Sequence, residues 1–403
     1  MMKNILGIIV FFILIEFYIY QAVRTVVSQT WARNAYWIVT VAVYAIIIYL
    51  VTQFDRASRN PLQINIIMGL ILVFVLPKLL TFVFLLFEDI IRLCRYGFEA
   101  VSSGRDAAHM PSRRKFVSIL GLGTAGLLSY AFLDGMIFGK YRHRVRKVKL
   151  KLKGLPESFK GYKIVQISDV HSGTFQEPAK LQHAIDLINQ QKPDLVLFTG
   201  DMVNNYADEF KPFINLFKTI QAKDGKFSVL GNHDYGGYGK FNSKEEERQN
   251  VPNLIQYQKE AGFKMLQNEN LSIEKNGDKI YLLGVENWGE KPFPQYGDLD
   301  KALQDVPEDS VKILMSHDPT HFDFAVKNHP NFVHLTLSGH THGMQFGVDL
   351  KNVKWSPVEY KYKKWMDLYE SNGRYLYVNR GFGVIGYSGR VGILPEITLF
   401  ELS

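Results

Sequence analysis

Hydrophobic positions are unevenly spread along this chain: the front carries them in unbroken runs, the remainder in short alternating or clustered segments. Four runs, Ile5 to Ala22, Ala35 to Val51, Ile64 to Phe87 and Phe116 to Phe138, approach the roughly 20 residues that a helix needs to cross a bilayer core. The fourth is the least regular, with Gly121, Gly123, Gly126, Ser129 and Asp134 inside it. From about Val145 the texture changes. "VKLKLKGL" alternates apolar and basic positions, the mark of a half-exposed strand. "KIVQIS" (163–168), "LVLFTG" (195–200) and "KFSVLG" (226–231) predict buried strands, with helices at Pro178 to Gln190 and Phe210 to Ile220 between them. This βαβαβ order calls for parallel strands and crossover helices. Later strands are expected at 279–285, 311–316, 332–338, 375–379 and 396–402, giving an α/β region with no internal repeat. The expected division is a membrane region over 1–110 with three spans, a fourth apolar segment and basic linker over 111–145, and a folded domain over 146–403.

Charge alters this picture only in detail. The net charge of +8 is concentrated in two flanks of the fourth run: Arg92, Arg95, Arg105, Arg113, Arg114 and Lys115 before it, and eight Lys/Arg from Lys140 to Lys153 after it. Basic residues beside spans serve topology or contact with anionic lipid, so nucleic acid is not an expected partner and the bilayer is. The single cysteine, Cys94, excludes an intrachain disulfide and a thiolate metal cage. Glu16 and Lys78 are the ionisable residues well inside the first three spans, and isolated charges there face the bundle and pair. Glu16 lies 11 residues into its run and Lys78 lies 14 into its own, a depth difference of about 4.5 Å if first and third spans run the same way. A pair is therefore within reach, and Pro77 beside Lys78 predicts a kink.

Candidate chemistry sits where the strands end. Asp169 and His171 follow the first buried strand, Asp201 the second, Asn232 and His233 the third, His317 a later one, and His340 and His342 the one after that. Residues at the carboxyl ends of strands in an open α/β sheet line the ligand crevice, so five loops are expected to converge. Imidazole and carboxylate suit manganese, iron or zinc, and an amide oxygen completes a harder site. The groups are too many for one ion. With Asp201 bridging they divide into two four-ligand sets, the arrangement for two metals about 4 Å apart, which bind a phosphoryl group and deprotonate a shared water.

The ordered set "SDVH" (168–171), "GDMV" (200–203), "GNHD" (231–234), "SHDP" (316–319) and "GHTH" (339–342) resembles the calcineurin-like metallophosphoesterase superfamily, over about 160–345. The tail, with "YVNRGFG" and "LPEITLFEL", resembles the membrane-anchored bacterial branch of that superfamily. The resemblance implies a helix-flanked β-sandwich and a hydrolase of phosphoric esters. It assigns one metal to Asp169, His171, Asp201 and His342 and the second to Asp201, Asn232, His317 and His340. His233 would face the phosphate and assist the leaving group, with Asp234 as its orienting partner. Where many relatives carry an acid three residues past the bridging Asp, this chain has Asn204. His109, His143, His183, His321, His329 and His334 are expected to be structural or exposed. Arg380 and Arg390 lie in glycine-rich loops that either reach the phosphate or stay at the surface.

Two function classes follow. One is a membrane-bound phosphoesterase acting on a phospholipid or other exported phosphoester, with a UDP-2,3-diacylglucosamine-type pyrophosphohydrolase of lipid A synthesis as the alternative. The other is a non-catalytic membrane scaffold or sensor, which the intact ligand set disfavours. "SRRKFVSILGLGTAGLL" (112–128) resembles a twin-arginine export signal, and the six basic residues before the fourth run mark that connection as cytoplasmic. Both place the catalytic domain outside. The eight basic residues after the run argue for the cytoplasmic alternative, but several alternate with Val148, Leu150 and Leu152 as part of a strand.

Overall fold

The structure, a computed structural model, describes residues 2–54, 62–102 and 111–403. They divide into two compact units, one of residues up to Phe54 with Gln63–Asp134, the other of Gly135–Ser403.

The first unit is helical. Helices α1 (Met2–Val26), α2 (Thr30–Thr52), α3 (Leu62–Leu70), α4 (Leu76–Ser102) and α5 (Pro111–Ile137) follow in order. Among the described residues, Thr30–Thr52, Leu62–Phe98 and Arg113–Ile137 are helical stretches long and apolar enough to cross a membrane. Between α3 and α4 lies a π-helical turn, Ile71–Val75, in which the Leu76 amide reaches back to the Ile71 carbonyl. Pro77 explains it: the ring lacks an N–H and clashes with the carbonyl four residues back, and a widened turn relieves the clash without breaking the helix. The irregularity expected at Pro77 takes the form of a π-turn that ends three residues before Lys78, which reaches Glu16.

The second unit contains fourteen described strands. They are β1 (Arg144–Leu150), β2 (Lys163–Ile167), β3 (Leu195–Phe198), β4 (Lys226–Ser228), β5 (Phe263–Met265), β6 (Glu269–Lys275), β7 (Asp278–Gly284), β8 (Lys312–Met315), β9 (Leu335–Ser338), β10 (Val348–Asp349), β11 (Lys354–Trp355), β12 (Asp367–Ser371), β13 (Arg374–Val378) and β14 (Glu396–Leu402). One sheet has the order β1-β14-β2-β3-β4-β5, a second the order β12-β13-β9-β8-β7-β6. The expected parallel core is present: β2, β3 and β4 run parallel in the first sheet, and β7, β8, β9 and β13 in the second. The C-terminal strand β14 is inserted between β1 and β2, parallel to one and antiparallel to the other.

Alternation within each buried strand assigns its two faces. Leu195 and Leu197 of β3 join Ile313, Met315, Leu335 and Leu337 of the other sheet in the layer between sheets. Val196 and Phe198 of the same strand turn outward, onto Ile185 and Ile188 of helix α6 (Gln182–Gln190) and onto Phe210 and Phe217. Leu283, Leu314 and Leu376 of the second sheet pack outward against Leu299, Phe322 and Val326. The result is a β-sandwich with helices on both outer faces, and it explains why these strands are apolar throughout. Helix α8 (Lys244–Glu260), which follows α7 (Ile214–Lys218), is not among the helices expected from the sequence. Its polar start and internal Pro252 hide the helical period.

Candidate metal centre

Each strand-end loop leaves a central strand of one sheet or the other. The loops after β2, β3 and β4 carry Asp169, His171, Asp201, Asn232 and His233; those after β8 and β9 carry His317, His340 and His342. The backbone turns sharply to aim them. Asp169, His171, Asp201, His340 and His342 all have φ between 46° and 71°, left-handed conformations that disfavour non-glycine residues and persist where the fold over-determines them. Gly231 is required next to them, since a Cβ there would meet Asp201 Oδ1 at 2.3 Å.

Two triplets result, Asp169, His171 and His342, and Asp201, His317 and His340, each with ligand-type atoms within 4.8 Å of one another. Asp201 Oδ2 stands between them, 3.1 Å from His317 Nε2 and 3.6 Å from His171 Nε2. His342 Nε2 is 3.3 Å from Asp169 Oδ1. Asn232 Oδ1 lies 2.9 Å from His340 Nδ1, and the amide nitrogen donates to Tyr238 Oη at 2.9 Å, which turns the oxygen toward the cluster. All seven residues expected as ligands are therefore brought to one place.

The donor set fits divalent cations. His171 Nδ1 and Nε2 and His342 Nε2 are buried without a hydrogen-bond partner, whereas buried polar atoms elsewhere in proteins are nearly always paired. Burial drives both rings toward the neutral form, which leaves a lone pair for a cation. His317 Nδ1 contacts the Thr199 carbonyl at 2.8 Å. The carbonyl can only accept, so Nδ1 carries the proton and Nε2 faces Asp201. Burial opposes charge on Asp169 and Asp201, yet His342 beside the first and His317 beside the second hold both carboxyls well below the usual range.

His233 lies on the wall of a cavity of about 300 Å³, together with His171, Asp201, Asn232 and His340. Its orienting partner is not Asp234. The Asp234 carboxylate accepts from the backbone N–H groups of Asp201 and Gly231, both at 2.9 Å, and of Met202 at 2.8 Å, so it staples the Asp201 loop to the Asn232 loop. Burial and the neighbouring Asp201 charge push Asp234 up to about 7. His233 Nδ1 instead donates to the Asn204 carbonyl at 2.8 Å. Asn204 is in turn held by Glu209, which accepts its N–H at 2.6 Å and that of Tyr206 at 3.1 Å. The position where an acid is absent thus serves through its backbone.

The two arginines also differ from expectation. Arg380 and Arg390 are both fully buried. Arg380 pairs with Glu396 at 2.6 Å and Asp367 at 2.8 Å, and Arg390 donates to the carbonyls of Arg380 and Gly383. Neither reaches the cavity wall or the surface, because each is the counter-charge or carbonyl cap of the loops it sits in. The remaining histidines are structural where described: His143 contacts the Phe382 carbonyl, His321 the Ser316 hydroxyl, His329 Asp300 and His334 the Lys312 N–H, and His183 is exposed. His109 lies outside the described residues. Tyr238, Phe293, Lys361 and Tyr362 also line the cavity; they fall in the segments 235–251, 287–296 and 351–367, which the sequence marks as pocket-forming insertions without singling out any residue in them. Each comes from an insertion between strands, and only the length of those insertions signals them.

Residues 162–344 match the calcineurin-like phosphoesterase family, and residues 2–140 match a family described as probable calcineurin-like phosphoesterase, transmembrane domain. The uncharacterized metallophosphoesterase YkuE of Bacillus subtilis (strain 168) is 31% identical over 72% of this chain and 97% of its own length. A transmembrane protein with metallophosphoesterase domain from Danio rerio is 27% identical over 75% of this chain and 64% of that one. Among solved structures, the Haemophilus influenzae NAD nucleotidase aligns with a TM-score of 0.38 and 14% identity over 55% of this chain and 45% of that chain. The chain belongs to the calcineurin-like metallophosphoesterase family. It is a membrane protein with a hydrolase domain acting on phosphoester bonds, and such domains use divalent metals.

Proposed function

We propose that this chain is a membrane-tethered binuclear phosphoesterase whose domain over 146–403 cleaves a phospholipid or other exported phosphoester, tethered by the region 1–110 through the segment 111–145. The observation that supports it most directly is the pair of triplets sharing Asp201 while imidazole nitrogens stay unpartnered. Asp169, His171, Asp201 and His342 would hold one cation, and Asp201, Asn232, His317 and His340 the other, with manganese, iron or zinc suited to these donors. Cations there supply Lewis acidity toward phosphoryl oxygen and toward water. His233 holds its ring by the Nδ1–H to Asn204, so its Nε2 is the atom that would hand a proton to the departing oxygen as a water oxygen, losing a proton to solvent, bonds to phosphorus and the ester P–O bond breaks. Asp234 is a positioning residue, fixing the loops of Asp201 and Asn232 against each other.

The purified full chain should contain transition metal and hydrolyse an activated aryl phosphate, lose that activity to chelator and regain it with manganese. Full turnover in metal-free protein overturns the two-metal reading. The side of the membrane is read as extracytoplasmic, from the export-like segment 112–128 and the basic residues before it. A reporter fused after Ser403 and active only inside the cell would reverse that, and would favour a nucleotide-linked lipid precursor as substrate.

A further inference from the structure

Between the loop of His340 and His342 and the segment of Lys361 and Tyr362, the chain makes a small hairpin of inverted polarity. Strands β10 and β11 pair antiparallel, with Val348 opposite Trp355 and Asp349 opposite Lys354. Leu350 and Val353 exchange backbone hydrogen bonds at 2.9 and 3.4 Å, which closes the tip at Lys351 and Asn352. Opposed residues share a face and side chains alternate along a strand. Val348, Leu350, Val353 and Trp355 therefore lie on one face, and Asp349 and Lys354 on the other.

The polar face is the one turned to the protein. Asp349 pairs with Arg146 and, at 3.4 Å, with Arg380, and Lys354 Nζ is 2.6 Å from Asp367 Oδ2. The apolar face is left outside, with Leu350 63% and Val353 54% exposed. Residues 351–364 contain Lys351, Lys354, Lys361, Lys363 and Lys364 against the single acid Glu359; Lys354 and Lys364 are paired to Asp367 and Asp323, which leaves the charge of Lys351, Lys361 and Lys363 to face outward partners. The base of the hairpin is tied to the metal loops: Ser356 Oγ donates to the Gly343 carbonyl at 2.8 Å, and Tyr362 Oη lies 2.8 Å from His340 Nε2. Lys361 lines the cavity with its Nζ 4.9 Å from the Phe293 ring centre.

We propose that this hairpin is an interfacial finger that enters the surface of an anionic phospholipid bilayer and presents the neighbouring cavity to phosphoesters of lipids lying in that surface. The substrate half rests on the phosphoesterase reading above. An apolar face that includes a Trp, beside a tip and flank that carry lysines, has the composition of segments that sit at the headgroup boundary. Lysines there gain from anionic lipid. A second copy docking through the same face would bring two lysine-rich segments together, which like-charge repulsion disfavours. The chain's own spanning helices keep a bilayer within reach.

The test uses the full chain with Cys94→Ser and Leu350→Cys, labelled with an environment-sensitive dye and placed in nanodiscs of phosphatidylcholine and phosphatidylglycerol containing nitroxide-labelled lipid. The expected result is a blue shift and loss of fluorescence by nitroxide quenching, with no such loss for a dye at Asp300→Cys, a fully accessible site on the same unit. An unquenched dye at position 350 overturns the finger. So does a dye shielded equally in detergent, in a concentration-dependent way, because the occupant is then a second copy. The variant Leu350→Asp/Val353→Asp should hydrolyse a detergent-dispersed aryl phosphate within about twofold of the parent, the tolerance of surface substitutions. A dye placed at Trp355→Cys in that variant should no longer be quenched. If aryl phosphate hydrolysis is absent from every form while quenching persists, the phosphoesterase reading fails and the finger stands.

Discussion

The helical unit and the sandwich unit each bury a cluster of charge, and the two clusters end differently. In the helical unit Lys78 Nζ reaches both Glu16 oxygens at 3.0 and 3.1 Å and Thr40 Oγ1 at 2.8 Å. Tyr36 and Tyr44 donate to the same carboxylate at 2.5 and 2.9 Å. All three ammonium protons and both carboxylate oxygens are used. In the sandwich, three imidazole nitrogens of His171 and His342 make no hydrogen bond, although two of them lie near the Asp169 and Asp201 carboxylates, and both rings line a cavity. A closed network describes a clasp that holds helices together; an open one describes a place for something else. In a low dielectric an unpaired group is costly, so its persistence at the strand ends argues for a ligand rather than for packing.

The comparison breaks most severely at Asp201. Asp201→Asn should lower turnover of an aryl phosphate on the order of 10³-fold, the scale of removing a key electrostatic group, and lower bound metal with it. His233→Asn should cost about 10²-fold or more, with metal content measured by mass spectrometry unchanged. Metal loss in the second variant would make His233 a ligand and undo the division of labour.

The clasp should respond in the opposite sense. Lys78→Leu alone leaves a buried carboxylate uncompensated and should destabilise the full chain in detergent by about 3–5 kcal/mol, whereas Glu16→Leu/Lys78→Leu should recover most of it. Turnover in the folded double variant should stay near that of the parent. A folded double variant without turnover would show the helical cluster to be part of the function.

The smallest effect sharpens the distinction within the sandwich itself. His334 accepts the Lys312 N–H at 3.1 Å through Nδ1, and burial pushes it down to about 4. A ring held neutral in the fold binds fewer protons than the unfolded chain between its folded value and the ordinary value of 6.5. Its stabilisation is therefore present above that ordinary value and is lost as pH falls toward 4. The slope contribution is at most about 1.4 kcal/mol per pH unit. Thermal unfolding of His334→Gln should fall less steeply with acid than that of the parent; an identical slope removes His334 from the account.

The amino-acid order by itself determined a good deal. The apolar runs marked the helical unit, the buried strand segments marked the parallel core, and a donor at the end of each marked strand named the residues that converge around Asp201. These are local properties: strand period and turn position fix which residue leaves the sheet at its carboxyl end, and the topology of neighbouring strands then brings the ends together. Depth along two helices put Glu16 and Lys78 within reach of each other, though it did not put them in contact. Tertiary structure alone decided the partners. His233 is held by the carbonyl of Asn204, 29 residues away, and Asp234 accepts the backbone N–H groups of Asp201, Met202 and Gly231 instead. Arg380 and Arg390 point inward because Glu396 and loop carbonyls lie there. The hairpin at Val348 to Trp355 exposes its apolar face because Arg146, 203 residues from Asp349, together with Arg380 and Asp367, takes its polar one. Hydrogen-bond and ion-pair choices compare groups presented by separate loops, and a chain read one residue at a time holds no measure of that distance.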